Sequence, residues 1–451
     1  DASDFADYNE VANNEAVDVM VAVGVFNGAD GNNFDPNGEL TREQAAKIVT
    51  YMLLGQEKAD KLTTTVAPYA DVAANRWSAG AIAYCTNEGI LAGSNGKFDP
   101  TGKLNGLAFS KMLLCALGYD ANIEGLVGSS WAINTAKLAV DLELDDNMDI
   151  SLSNVMTREQ AAQMAFNAMK ADVVDYESRG TNITINGAVI ATGASKAAAV
   201  TTKKAWGGNM GDSADADGKY TVQFAEKYCD KLSVKDGEHD DLGRPANEWT
   251  YDGDKVGTYG QSADKVYTLT KAYTVDSTNT LLSYLKSDDF TDNDKLEFAS
   301  LTGKQVYVNG VGVDSNATQV VNAMKNDAKG GVVVELFYND TNKDKLNYVV
   351  ITNYSIAKID DVSTKLTKAQ KDDGATSKIK VGSKWYLDND VAGFDAKTYV
   401  EDAYLLYIVK AGKAEMIASQ IAEEITGKAT ATKGDDKATI GGTQYKYVEG
   451  V

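Results

Sequence analysis

Histidine is nearly absent from this chain: 451 residues hold one, His239. Nucleophilic systems built on a Ser-His or Cys-His pair therefore have a single candidate base. It sits in the polar stretch Asp236 to Asp241, which reads as an exposed loop. Cysteine is scarce too, with Cys85, Cys115 and Cys229 only. Three cysteines at these spacings make neither a disulfide framework nor a metal-ligand set. Cys85 and Cys115 fall in apolar helical stretches, where a free thiol acts as a small hydrophobe. Four prolines leave little room for a Pro-rich linker. No run reaches 18 apolar residues, so no transmembrane helix is expected. No basic segment followed by an apolar stretch opens the sequence, so no signal peptide is visible. Phosphate-binding Gly-x-x-x-x-Gly-Lys-Ser/Thr and strand-borne Gly-x-Gly-x-x-Gly patterns are missing. Positive charge is also short, 44 Lys and Arg against 65 Asp and Glu, a net charge of −21. That argues against a nucleic-acid binder, which needs a basic stripe, and against a polybasic membrane-surface protein.

What is present is repetition. The length predicts two to four domains, and 43% hydrophobic residues are enough to give each a core. Residues 5–55 run Phe5-Ala6-Asp7, a helical stretch, Gly24 to Gly28, Phe34-Asp35-Pro36, then Leu40-Thr41-Arg42-Glu43-Gln44. Residues 69–118 run Tyr69-Ala70-Asp71, Trp77, a helical stretch, Gly89 to Gly93, Phe98-Asp99-Pro100, then Leu104 and a second helix. Residues 126–172 keep Trp131, a helix, and Met156-Thr157-Arg158-Glu159-Gln160. Each unit reads as helix, Gly-rich loop, short extended piece, helix. One such unit cannot bury its apolar face alone, so three must pack together.

The second helices carry start signals. Thr41 with Gln44 and Thr157 with Gln160 make Thr-x-x-Gln capping boxes. Behind them Ala45, Ile48, Val49 and Met52, and Ala161, Met164, Ala165 and Ala168, recur at helical spacing and predict a core face. Arg42 and Arg158 occupy the first helical position, where a cation opposes the helix dipole. Propensity gives no reason for them there. An Arg beside free N–H groups at a helix N-terminus is a good seat for a carboxylate or phosphate. The alternative is a solvated Arg paired with a nearby Glu.

This pattern resembles the S-layer homology family, whose units run Phe-x-Asp, Trp, helix, Gly-x-x-x-Gly, Phe-x-Pro, then Thr-Arg-Ala-Glu. The resemblance covers residues 1–172. It implies a pseudo-threefold helical prism whose inter-unit grooves bind a secondary cell-wall polymer. It further implies that Arg42 and Arg158 clamp an anion of that polymer and that Asp7 and Asp71 shape or line the groove. Trp77 and Trp131 match the family Trp, and Gly24, Gly28, Gly89 and Gly93 match the loop glycines that let backbone approach a ligand. Replacing both arginines with Ala is expected to abolish wall binding with cap and core intact.

The departures from the family are specific. The first unit has Asn14 where Trp is expected. The second has Asn105-Gly106-Leu107-Ala108 in place of Thr-Arg, so Asn105 caps but the anion clamp is lost. The third lacks Phe-x-Pro and carries Asp141 to Asp149 instead of a Gly-rich loop. At most two grooves then keep an Arg. With 11 basic and 24 acidic residues, 1–172 carries −13. A strongly anionic polymer would be repelled at long range, so binding must rest on local clamps or screening ions. Peptidoglycan is the other candidate wall ligand.

After Val173 the texture becomes β. Thr181 to Ile190 reads as a hairpin around Asn186-Gly187. Val306 to Val308 and Val332 to Phe337 read as strands, and Asn316 to Asn326 and Leu281 to Leu285 as short helices. A weaker repeat pairs the hairpin Val332–Tyr338/Leu346–Ile351 with Tyr404–Val409/Ala414–Ala418. Polar segments then lead to Ser377–Tyr386 and Lys437–Lys446; the copies as wholes lie about 65 residues apart, and the second stops mid-unit at Val451, as in a fragment. The expected architecture is multidomain α+β: a triple anchoring module over 1–172, a mainly β domain with one or two short helices over 173–355, and further β over 356–451, Ig-like, sandwich or small barrel. Asp212, Asp215 and Asp217 resemble the start of a calcium loop, with the turn Gly misplaced, and Asp30 to Asp35 is a weaker case. Calcium is thus the one cofactor to weigh, and the alternative is a solvated acidic loop.

The function implied is a secreted, non-enzymatic structural protein of the bacterial cell wall or S-layer. Its β domains would self-associate into a surface lattice. An anchored surface enzyme whose catalytic part lies outside this chain, and an adhesin, are the alternatives.

Overall fold

The structure is a computed structural model. It describes residues 1–185, 188–203, 216–269, 305–313, 332–339, 342–392, 401–409, 416–422, 429–430, 437–440 and 443–446. These divide into two compact units, one of residues 1–236 with 248–258 and one of residues 237–247 with 259–451. The chain mixes helices with several β-sheets.

The first unit is built on helices α1 (Asn14–Ala22), α2 (Arg42–Leu54), the single turn α3 (Gln56–Ala59), α4 (Ala79–Asn87), α5 (Gly106–Leu117), α6 (Trp131–Asp141) and α7 (Arg158–Lys170). The capping boxes form as the sequence requires. The Thr41 and Thr157 hydroxyls accept from the Gln44 and Gln160 amides, and each Gln side chain accepts from the cap N–H in return. Asn105 Oδ1 accepts from the Ala108 amide at 2.9 Å. Both predicted apolar stripes are buried.

The second helix of each repeat packs on the first helix of the next: α2 on α4, α5 on α6, and α7 back on α1. A closed ring of backbone bonds ties the three together. Leu40 N–H donates to Met156 O (2.8 Å), Met156 N–H to Leu104 O (3.0 Å), and Leu104 N–H to Leu40 O (2.9 Å). The side chains of all three are buried, so the ring lies within the core.

This unit does not end at residue 172. Phe224 N–H donates to Ala171 O, and the short helix α8 (Phe224–Tyr228) packs on α7 with Phe224 buried. Further along, strand Pro245–Tyr251 delivers Trp249 to the seam between α1 and α7. Trp249 is 1% exposed, meets Phe166 edge-on at 5.3 Å and donates its indole N–H to Glu15 Oε1 at 2.6 Å. The hairpin expected near residue 181 pairs Thr181–Ile185 with Ala188–Thr192; its Asn186-Gly187 turn lies outside the described residues.

In the second unit, a five-stranded sheet has the order Lys265–Leu269, Val332–Asn339, Asn342–Asn353, Gln305–Val308, Val311–Val313. A six-stranded sheet has the order Lys384–Leu387, Lys378–Val381, Ser355–Ser363, Tyr404–Val409, Met416–Ala422, Val391–Ala392. Each contains one of the two hairpins read as a repeat, and the second strand of each hairpin has a parallel neighbour. Parallel neighbours need crossover connections, so both sheets are mixed, unlike the antiparallel sheets of an Ig-type sandwich. The segments Lys378–Leu387 and Lys437–Lys446 are hairpins of matching register, with Lys378 opposite Leu387 and Lys437 opposite Lys446. The helices expected over 316–326 and 281–285 lie outside the described residues. His239, expected in an exposed loop, ends the strand Leu232–His239 and packs its ring, tilted, against Tyr307 at 4.5 Å. Its strand turns an apparently polar run into a partner for aromatic packing.

Candidate functional site

Two of the grooves on the helical unit draw residues from all three repeats. One, of about 450 Å³, places Arg158 of the third repeat beside the 25–29 loop, Asp35 and Lys47 of the first, and Trp77 of the second. The other, of about 610 Å³, places Arg42 of the first repeat beside the 90–94 loop and Lys111 of the second, and Trp131 of the third. The cyclic helix packing produces this sharing, so no single repeat contains a groove.

The arginines do not work as their sequence position suggests. The helix-opening N–H groups beside them are already used. Arg42 and Glu43 N–H donate to Gly102 O and Pro100 O, and Arg158 and Glu159 N–H donate to Gly38 O and Pro36 O. The backbone N–H groups that open these two helices are therefore not free to bind an anion. Arg42 donates from Nε to Phe98 O (2.8 Å) and from Nη2 to Ala92 O (3.2 Å), with its Cζ 4.6 Å above the Phe98 ring. Arg158 repeats this on Phe34 O and Asn27 O, both at 2.9 Å, 5.3 Å above Phe34. Each guanidinium has five N–H groups, so three remain for other partners. Burial pushes the Arg158 pKa down, while Asp35 and Asp7 oppose that. Arg→Ala would thus remove inter-repeat bonds as well as charge.

Asp7 and Asp71 line neither groove and instead hold the backbone of the extended pieces. Asp7 accepts from the Phe34 and Asp35 amides, both at 2.7 Å, and Asp71 from the Phe98 and Asp99 amides, both at 2.8 Å. These bonds hold Asp35 and Asp99 at φ of 59° and 58°, a turn that needs tethering in non-glycine residues. The bonds to Phe98 and Asp99 hold the Asp71 carboxyl below its ordinary value.

The glycines separate into two kinds. Gly28 and Gly93 line the grooves. A Cβ on Gly93 would lie 2.3 Å from Lys97 O, so only glycine allows that close approach. Gly24 and Gly89, at φ of 75° and 71°, follow α1 and α4 as left-handed helix ends and lie outside both grooves, correcting their expected role. The tryptophans also differ. Trp131 opens α6, whereas Trp77 precedes α4 by two residues, is 56% exposed and lies beneath Lys47 Nζ at 5.6 Å. Counted from the helix starts, their first-repeat counterparts are Asn14 and Ala12.

Sequence reasoning passed over the Glu that follows each Arg. Glu43 is 5% exposed and accepts from Arg76 Nε and Nη2 (2.7 and 2.8 Å) and Ser78 Oγ (2.6 Å). Glu159 accepts from the Ala12 and Asn13 amides, both at 2.6 Å. Each ties its helix to the start of the next repeat. The recurrence of Glu in both Thr-Arg-Glu-Gln copies was the available signal. Lys47 and Lys111, each five residues past the helix start, were also missed.

The third seam has no counterpart of the Arg. Gly106 N–H donates to Asn154 O and Leu107 N–H to Leu152 O. A Cβ on Gly106 would stand 2.9 Å from the Leu152 backbone, so no side chain fits.

Of the calcium candidates, Asp212 and Asp215 lie outside the described residues and Asp217 is in a turn. Among the described residues no group of three His, Cys, Asp or Glu is placed to hold a metal ion, and no helix is long and apolar enough to cross a membrane.

Residues 4–46 match the S-layer homology domain. A cell surface protein of Thermoanaerobacter kivui is 25% identical over 405 residues, covering 84% of this chain and 48% of that protein. The middle cell wall protein of Brevibacillus brevis is 26% identical over 165 residues, covering 36% of this chain and 15% of its own. The S-layer protein sap of Bacillus anthracis is 26% identical over 137 residues, 28% of this chain and 16% of its own. The chain thus spans about half the length of the first of these relatives and less of the others. Repeat architecture, domain match and relatives agree: this chain carries an S-layer homology domain at its amino-terminal end and is a secreted, cell-wall-associated surface protein.

Proposed function

We propose that this chain is a structural, non-enzymatic S-layer-type protein that anchors to the cell wall through its inter-repeat grooves. The ligand is a secondary cell-wall polymer, and residues 173–355 and 356–451 form β domains that build the lattice. The observation that carries this reading is the composition of the grooves, in which Arg, Lys and Trp from three different repeats converge twice. The hydrogen-bonded ring of Leu40, Leu104 and Met156 supports a pseudo-threefold arrangement of the 1–172 anchor. The names of the relatives support structure over chemistry.

The test is co-sedimentation of the full chain with purified sacculi, before and after chemical release of the secondary polymer. Binding lost on release is the expected result. Binding that survives release would identify peptidoglycan as the ligand and refute the polymer reading. No binding to either would refute anchoring.

A further inference from the structure

Asparagine is followed by glycine six times in this chain, at Asn27, Asn37, Asn95, Asn105, Asn186 and Asn309. The pair is open to spontaneous ring closure, because glycine has no Cβ to shield its nitrogen. The glycine nitrogen, once deprotonated, attacks the Asn side-chain carbonyl carbon. That requires a free Asn amide, an unengaged glycine N–H and backbone that can turn. Asn186-Gly187 lies outside the described residues, and four of the other five pairs are held. Asn105 caps α5, and Gly106 N–H donates to Asn154 O at 3.1 Å. Gly38 N–H donates to Asp35 O at 3.1 Å. Asn309 Oδ1 accepts from the Asn353 amide at 2.8 Å. Asn95 and Gly96, at φ of 50° and 74°, tip a turn whose flanking Ser94 and Lys97 exchange both backbone bonds, at 2.8 and 3.0 Å.

Asn27-Gly28 differs on every count. Both residues are exposed and lie outside any helix, strand or turn. Among the described residues neither the Asn27 side-chain amide nor the Gly28 N–H has a hydrogen-bond partner. The second repeat has Ala92 at the equivalent place and gives Arg42 only its backbone oxygen, so the fold needs no amide there. The Asn27-Gly28 peptide also carries a cation. Arg158 Nη2 donates to Asn27 O at 2.9 Å, and that oxygen belongs to the same peptide group as the Gly28 nitrogen. A guanidinium there stabilises the negative charge that builds on the oxygen as the Gly28 N–H loses its proton.

We propose that Asn27 is a site of spontaneous self-modification in the folded chain, promoted by Arg158. Hydroxide takes the Gly28 proton, and the nitrogen bonds to Asn27 Cγ. The Cγ–Nδ2 bond breaks, and the departing nitrogen takes a proton from water and leaves as ammonia. Water then adds to the Asn27 main-chain carbonyl carbon of the succinimide, and its bond to the Gly28 nitrogen breaks. The product is isoaspartate, with the chain running through the former side chain. The oxygen that Arg158 already binds now belongs to a carboxylate, so the product is held by a charge-assisted bond and the Arg158 charge is cancelled. The reaction uses only the chain and water, and it stands whether or not the groove binds a wall polymer.

Peptide mapping by mass spectrometry of the full chain held at pH 9, folded and in urea, is the test. The rate in urea sets the intrinsic reactivity of each Asn-Gly pair, and the ratio of folded to urea rate reads what the fold does to it. Asn27 should have the highest ratio of the set. It should exceed that of Asn105 at least about tenfold, the factor for breaking the two hydrogen bonds that lock Asn105-Gly106. Arg158→Gln should slow the folded reaction at Asn27 about tenfold, as for losing one charge-assisted hydrogen bond, and leave the rate in urea unchanged. The Asn105 rate gauges loosening of the variant; if it rises, Arg158→Lys is read instead. A higher ratio at Asn37 or Asn95 than at Asn27, or an unchanged Asn27 rate in a folded Arg158 variant, would overturn the proposal. Should both variants loosen, the wild-type ratios alone decide it.

Discussion

Trp249→Ala tests how far the helical unit depends on chain outside its repeats. Trp249 lies 79 residues beyond the end of α7 at Lys170, counted along the sequence. It is nonetheless 1% exposed at the α1–α7 seam, with its indole against Phe166 and its N–H on Glu15. Truncating a buried Trp to Ala costs about 3–5 kcal/mol through lost burial and the cavity left behind. The hydrogen bond to a carboxylate contributes about 1.5–3 kcal/mol, part of which water at half-buried Glu15 restores. A net loss of about 4–5 kcal/mol is therefore expected. At about 2–4 °C per kcal/mol for a unit of this size, the melting temperature should fall by about 8–20 °C.

The assay is thermal unfolding of the full chain followed by circular dichroism at 222 nm, where the helices dominate. Trp249→Phe separates the terms. It keeps most of the ring and loses the hydrogen bond, so about 1–2 kcal/mol should disappear. If Trp249→Ala melts its helices within about 3 °C of the wild type, the docking of strand Pro245–Tyr251 on α1 and α7 is refuted.

Glu43→Ala should lower the helical melting temperature more than Glu159→Ala, because it strands the Arg76 guanidinium whereas Glu159 frees only two backbone amides; equal effects in thermal melts would refute this. All three thiols are pushed up to about 11 by burial, so Cys85, Cys115 and Cys229 should resist an aromatic disulfide reagent at pH 8 in the folded chain and react fully once it is unfolded. Asp71, with its folded pKa depressed, contributes stability that is complete above its ordinary 3.8 and lost as pH falls through the lower folded value. Asp71→Asn should therefore flatten the pH dependence of helical melting below pH 4, and a slope identical to wild type would count against the tether.

The helices and their caps were legible because their causes are local. Thr-x-x-Gln and Asn105 cap within one turn, and the apolar periodicity behind them needs no partner to be recognised. The repeats revealed that three units pack, and spacing alone placed Arg42 and Arg158 at helix starts. The β hairpins followed from alternation and from Asn-Gly. Their parallel neighbours did not, since pairing between distant strands leaves no short-range mark.

Long-range contact decided the rest. Free N–H groups at α2 and α7 were a fair reading of an isolated helix, but carbonyls of Gly102, Pro100, Gly38 and Pro36 from neighbouring repeats occupy them. Nothing local in the sequence marks Lys111, and only the fold places it in the groove beside Arg42. The sequence by itself determined that this chain begins with three helical repeats, because each repeat's signals act over a few residues. Only the tertiary structure decided which residues of which repeats share a groove, because cyclic packing brings together side chains more than 80 residues apart.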